Sequence, residues 1–200
     1  MIQARYSADP TIIECGCDEV GRGCIAGPVY AAAVVFPADY YNAGINDSKQ
    51  LTRSRREQLR TEIEAHAISW AVASIDEATI DKVNILHASF MGMNKAIAQL
   101  TVKPNLLLID GNRFINETDI LYHCIVKGDA KYLAIAAASI LAKTYRDEYM
   151  EKLAEEFPQY GWAENKGYPT PSHQEAVLKY GRCQYHRKSF QLKGQLRLEF

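Results

Sequence analysis

The sequence has no long apolar run, no Cys-x-x-Cys pair and no strong charge of either sign. Its longest apolar stretches, Cys24 to Phe36 and Tyr132 to Ala142, are too short to cross a bilayer, and Gly27-Pro28 interrupts the first. This predicts no membrane contact. The cysteines, Cys15, Cys17, Cys24, Cys124 and Cys183, are odd in number. Cys15-x-Cys17 lacks the spacing of a zinc site and has no second half. The opening residues carry no secretory h-region. Together these features predict reduced thiols and a cytoplasmic protein. A net charge of −1 leaves no global field to mark a nucleic-acid binder. Repeats, low-complexity tracts and dividing linkers are also missing. The 200 residues therefore predict one domain over 1–200, with a C-terminal helical segment from about 170 to 200.

The charge that is present is unevenly spread. Asp147 to Glu164 holds six acids and one Lys, whereas Lys179 to Phe200 holds six Lys/Arg and one acid. Such a basic tail either follows a phosphate backbone or forms a solvated surface. Thr11–Cys17 and Pro28–Phe36 read as strands, with a gap short enough for antiparallel pairing. Ile68–Ile75 alternates as a third strand. "LLLI" at Leu106–Ile109 reads as a central strand covered on both faces, and Leu121–Val126 as a fifth. Helices are expected from Thr52 or Ser54, with Ser54-x-x-Glu57 as a capping box, and over Asn84–Leu100 and Ala134–Phe157. A last helix runs from Ser172-x-x-Glu175 to Tyr180. Phe90, Met93, Ile97 and Leu100 form a core stripe. The pattern is a mixed α/β sheet, whose ligands gather at the carboxyl ends of strands.

Acids fall at those ends. Asp18-Glu19, Asp110 and Asp129 each follow a predicted strand. Taken singly, Asp110-Gly111 and Gly128-Asp129 are ordinary turn dipeptides. Four carboxylates gathered together would repel one another, and a hard divalent cation resolves that conflict. Two such ions about 4 Å apart suit phosphodiester hydrolysis. Neighbouring strand residues point to opposite faces, so Asp18 and Glu19 are expected to meet only if the strand breaks between them. Gly21 and Gly23 around Arg22 let backbone N–H groups approach a ligand. Asp47-Ser48-Lys49 offers a hydroxyl and an ammonium in a loop. Ser139, Lys143 and Asp147 share a helical stripe, with Asp147 read either as the ion-pair partner of Lys143, the favoured reading, or as an outer acid of the metal site. Tyr168 in Gly167-Tyr168-Pro169-Thr170 offers a ring to stack on a sugar or base. His173 and His186 are not at metal spacing, and His186-Arg187-Lys188 reads as a phosphate-facing or solvated patch.

In order along the chain, Asp18-Glu19-Val20-Gly21-Arg22-Gly23, Asp47-Ser48-Lys49, Ile109-Asp110-Gly111, Lys127-Gly128-Asp129, Ala136 to Lys143 with Arg146-Asp147, and Gly167 to Thr170 resemble bacterial ribonuclease HII. The resemblance runs from about residue 12 to about 190. It implies an RNase H-like fold, a mixed five-stranded sheet flanked by helices, with a small C-terminal helical extension. It implies an endonuclease that cuts the RNA strand of RNA–DNA hybrids and incises DNA 5′ to embedded ribonucleotides, with Mg²⁺ or Mn²⁺, as a monomer. By resemblance, Asp18, Glu19, Asp110 and Asp129 are the metal-binding catalytic acids. Gly21, Arg22 and Gly23 read the ribose 2′-hydroxyl and a neighbouring phosphate. Tyr168 packs on the next sugar, and Lys49, Ser139 and Lys143 contact the backbone. The rival readings are ribonuclease HIII, which usually has a longer N-terminus and a lysine where Arg22 stands, another RNase H-like nuclease, and a non-catalytic hybrid-binding module.

Overall fold

The computed structural model describes residues 2–192. Lys193, Arg197 and the acid Glu199 of the basic tail lie outside the described residues. Five strands form one sheet: β1 (Glu14–Val20), β2 (Val29–Val35), β3 (Ser69–Ile75), β4 (Leu106–Asp110) and β5 (Leu121–Ile125). Their spatial order is β3-β2-β1-β4-β5. β1, β2 and β3 are antiparallel neighbours, while β4 and β5 run parallel to β1. The sheet is the expected RNase H-like mixed arrangement.

Helices cover both faces. On one face, Cys15, Cys17, Ala31, Ala33 and Ile109 pack against Phe90, Met93 and Ile97 of α3 (Ile85–Ala98), which bears out the expected core stripe. On the other lie Ala32 and Val34, beneath α4 (Leu133–Glu156) and Leu59 and Ile63 of α1 (Arg53–His66). The alanine-rich first half of α4 lets its backbone approach the sheet closely. A Cβ on Gly16 would lie 2.2 Å from the Ala134 carbonyl carbon, so only glycine fits under that crossing. The approach carries Ser139 over the end of β1.

Several expected boundaries move. Thr52 caps α1 by accepting from Arg55 N–H, so Ser54 lies inside the helix. Thr170 likewise accepts from His173 N–H and Pro171 opens α6 (Pro171–Tyr180), which corrects the cap expected at Ser172. A short helix, α2 (Glu77–Val83), precedes α3 and was not anticipated; Asn84 separates the two at φ 68°. The short helix α5 (Trp162–Asn165) and α6 pack with Met150 and Leu153 of α4 around Trp162. No helix among the described residues is long and apolar enough to cross a membrane.

Candidate active site

β1 does not break. It pairs regularly with β2 through Asp18–Ala32, Glu19–Ala31 and Val20–Tyr30, contrary to the expected interruption. Its pairing with β4 instead stops at Cys17–Ile109, leaving the edge of its last residues open where Asp110 begins to diverge. Asp18 points to the α4 face, on the side of Gly16, where the nearby Ser139 hydroxyl pulls its pKa down against the effect of burial. Ser139 also meets Ser48 at 2.9 Å between hydroxyl oxygens. Glu19 starts on the opposite face. Both reach one cavity because the sheet has ended beside them, and the longer Glu19 side chain spans the remaining distance.

That cavity is lined by Asp18, Glu19, Lys49, Asp110, Ser139, Lys143 and Tyr168, together with Val20, Ser48 and Arg56. Asp129, in the tight turn at Gly128–Ala130, stands beside this cavity without lining it, paired with Lys49 and acting by its charge on Asp110. Asp110 holds this turn by accepting from Gly128 N–H at 2.7 Å. The structure thus gathers the four predicted acids on one rim, as well as Lys49, Ser139, Lys143 and Tyr168. Arg56 was missed. It donates to the Ser48 and Leu51 carbonyls, and nothing in its sequence neighbourhood marks it as part of the cavity.

The rim is under electrostatic stress. Burial, then the charges of Glu19 and Asp110, push the Asp18 carboxyl well above the usual carboxylate range. Burial also raises Glu19 against the opposing pull of Arg22, and raises Asp110, with Asp129 adding to the effect. Two cations relieve part of this. Arg22 Nη1 lies 3.0 Å from Glu19 Oε1, and Lys49 Nζ lies 3.3 Å from Asp129 Oδ2. Among the described residues no three acid, imidazole or thiol groups close around a single point. The donor set itself is all carboxylate oxygen, which fits a hard divalent cation and not a soft one.

Two loops flank the cavity: Gly21, Arg22 and Gly23 are not among its lining residues and Arg22 reaches it through Glu19, whereas Tyr168 lines it directly. Gly21 has φ +94°, and its missing Cβ would meet Arg146 Nε at 2.3 Å. Gly23 has open space where a Cβ would stand. The fold therefore requires glycine at 21 and not at 23. Opposite lies Tyr168, 37% exposed, with Lys143 Nζ 5.7 Å from its ring centroid. Lys143 pairs with Asp147 at 2.8 Å, so Asp147 is an ion-pair partner, as read from the helical spacing.

The expected His186-Arg187-Lys188 surface patch is overturned at its first two residues, while Lys188 is exposed as expected. Arg187 is fully buried and His186 is 2% exposed. His173 is buried as well, and the network fixes both tautomers. Trp162 Nε1 donates to His173 Nε2, so the His173 proton sits on Nδ1 and is donated to the Tyr168 carbonyl at 2.8 Å. His186 Nδ1 accepts from Cys183 N–H, which leaves its Nε2 proton facing His173 Nε2 at 3.2 Å. Arg187 turns inward because backbone carbonyls await its fork. The bare sequence carries no signal for that.

The family model of ribonuclease HII matches residues 15–193. The chain belongs to the ribonuclease HII family. It is 56% identical over 191 residues to ribonuclease HII of Bacteroides thetaiotaomicron, covering 94% of this chain and 96% of that one. Its fold matches the crystal structure of ribonuclease H2 from Pyrococcus horikoshii at TM-score 0.76 and 26% identity, over 90% of this chain and 95% of the other. Bst-RNase HIII, solved in complex with Mn²⁺, shares the fold at TM-score 0.67 and 23% identity, over 87% of this chain and 63% of its own. Membership in the ribonuclease HII family makes this chain a ribonuclease H, a hydrolytic nuclease and not a bare binding module.

Proposed function

We propose that the chain is a divalent-metal-dependent endonuclease. It cuts the RNA strand of RNA–DNA hybrids and incises DNA 5′ to an embedded ribonucleotide, leaving a 3′-hydroxyl and a 5′-phosphate. The observation that carries this reading is the rim of Asp18, Glu19, Asp110 and Asp129, three of whose carboxyls are raised by burial. Such a rim is costly in a pure binder of polyanions, which gains nothing from carboxylates at its contact surface. It suits a site that takes up cations together with substrate.

Mg²⁺ or Mn²⁺ would be held by these four acids, and when bound supplies water activation and stabilisation of the leaving oxygen. The protein's own groups do the rest. Ser139, beside Asp18 and bonded to Ser48, favours the charged form of that carboxylate. Lys49 and Lys143 bring positive charge to the cavity wall, where a phosphate backbone would pass. Arg22 and the N–H groups of the glycine loop face the position of a ribose 2′-hydroxyl, the donor–acceptor group that tells RNA from DNA. Tyr168 offers its exposed face to the following sugar.

The test is cleavage of a duplex carrying one ribonucleotide, with Mg²⁺ and with EDTA, and with the cut position mapped. The expected product is a single nick on the 5′ side of the ribonucleotide, absent in EDTA. Cleavage of an all-DNA duplex would favour another RNase H-like nuclease. Binding without metal-dependent cutting would return the chain to the hybrid-binding class.

A further inference from the structure

Arg146 and Arg187 are large, charged and wholly buried. Their six hydrogen bonds all go to backbone carbonyls. Arg146 donates to Pro28 at 2.9 Å, Ala26 at 3.0 Å and Lys166 at 2.7 Å. Arg187 donates twice to Gly27, at 2.9 and 2.7 Å, and once to Arg22 at 3.1 Å. A guanidinium is the side chain suited to this task, since its planar fork presents several donors in fixed directions. Where only volume is needed, an apolar side chain fills it without burying a charge. These two arginines are spent on one segment, residues 22–28, and on the carbonyl two residues before Tyr168.

The backbone repeats the same connection. Ile25 N–H donates to the Gly167 carbonyl, Gly27 N–H to Tyr185 and Arg187 N–H to Ile25, each at 2.9 Å. The glycine loop is thus clamped between the tyrosine loop and the segment around Arg187. Arg146 also explains Gly21, because its guanidinium occupies the space a side chain there would need.

We infer that Arg146 and Arg187 are positioning residues for ribonucleotide selection: together they fix the carbonyl of Arg22 in the glycine loop and those of Ala26, Gly27 and Pro28 just beyond it, and through Lys166 lock this segment to the Tyr168 loop, setting the distance between the two elements that grip the ribonucleotide and its neighbour. This rests on the reading of Gly21-Arg22-Gly23 as the ribose-sensing loop. Neither arginine touches the acids, so metal binding is separate from the brace.

The experiment uses Arg187→Lys, Arg146→Lys and Gly23→Ala in the full chain. It compares kcat/KM on a duplex with one ribonucleotide against a long RNA–DNA hybrid, maps the cut positions, and measures Mg²⁺ binding by calorimetry. Each arginine variant is expected to lose roughly ten- to hundred-fold on the single-ribonucleotide duplex relative to the hybrid, by misplacing the loop. Its cuts scatter and its Mg²⁺ affinity is unchanged. A merely structural role would lower stability and scale both substrates alike, and wild-type ratios and cut positions in folded variants would overturn the inference. If Gly23→Ala shifts the ratio and the arginine variants do not, the brace fails while the loop reading stands. If Gly23→Ala also leaves the ratio unchanged, the loop reading fails and the inference with it. Should the lysine variants not fold, hydrogen exchange of the wild-type protein decides. Slow exchange of the Ile25 and Gly27 amides, at the rate of the β1 core, supports the brace; rapid exchange there overturns it.

Discussion

The acid rim and the arginine brace lie on either side of the same glycine loop and handle charge in opposite ways. The rim collects carboxylates that repel one another, and burial holds three of them above their usual range. The brace buries two guanidiniums, and every hydrogen bond either one makes ends on a carbonyl. Burial pulls Arg187 down to about 10, yet it stays charged at neutral pH. One region is left electrostatically incomplete and the other is finished. An incomplete region answers to an added cation, whereas a finished one supplies rigidity. A nuclease that selects one sugar needs both.

The contrast is broken most severely at the rim. Glu19→Gln is expected to lower cleavage roughly a hundred- to a thousand-fold, as for loss of one preorganised charge contact. The same change is expected to raise the melting temperature in EDTA, because it removes a buried, repelled charge. It also weakens the stabilisation that Mg²⁺ gives the wild type, about 2.7 kcal/mol at a hundredfold excess over Kd. Differential scanning fluorimetry with and without Mg²⁺ reads both effects. A variant no more stable than wild type in EDTA would contradict the stressed rim.

Removing a brace arginine outright works the other way. Arg146→Met strands three carbonyls and is expected to cost roughly 3 kcal/mol of stability. Urea denaturation measures it, and a loss below about 1 kcal/mol would mean that water replaces the guanidinium.

Acid separates the regions by sign. The His186 pKa is lowered to about 4, first by burial and then by His173, while an unfolded histidine titrates near 6.5. The unfolded chain therefore takes up that proton first. Stability from this group is complete above about 6.5 and is lost as pH falls towards about 4, worth roughly 3 kcal/mol for one full proton. His173, lowered chiefly by burial, adds in the same direction. Three of the rim acids, Asp18, Glu19 and Asp110, do the reverse. Their folded pKa values lie above the unfolded ones, so in EDTA acidification relieves the repulsion. Urea midpoints from pH 7 to 4 should fall less steeply in His186→Gln and more steeply in Asp18→Asn than in the wild type.

The smallest stability effect is expected at Gly23. With open space at its Cβ position, Gly23→Ala is predicted to stay within about 0.5 kcal/mol of wild type. Gly21→Ala, strained at φ +94° and crowded by Arg146, is expected to lose more than 1 kcal/mol, or roughly so. Equal losses at the two glycines would erase the distinction between a glycine kept for folding and one left free for a ligand.

Much of this was legible in the residues. The delivery of Asp18, Asp110 and Asp129 to one rim followed from apolar runs closed by acids, although Asp18 and Glu19 lie inside β1 and Asp110 closes β4 instead of following it, and the helical stripe of Ser139, Lys143 and Asp147 followed from its spacing. The strand break did not occur, because the end of a neighbouring strand admits Glu19 to the cavity without distorting β1. Such an ending is a tertiary fact. Of the two expected starts of α1 Thr52 is the cap, and Thr170 displaced the expected cap at Ser172, which lies inside α6. The buried state of His186 and Arg187 was illegible for a similar reason. Arg187 binds the carbonyls of Gly27 and Arg22 far back along the chain, and His186 the Cys183 amide and the His173 ring, contacts made by groups that no sequence pattern advertises.

The central claim is that the rim holds the catalytic cations. Its most direct test is cleavage of a duplex with one ribonucleotide by wild type and Asp18→Asn, each in Mg²⁺ and in EDTA. The account predicts a single 5′ nick by the wild type in Mg²⁺, none in EDTA, and near-complete loss in the variant despite an intact fold. Full activity of Asp18→Asn in Mg²⁺, or undiminished wild-type cutting in EDTA, would contradict it.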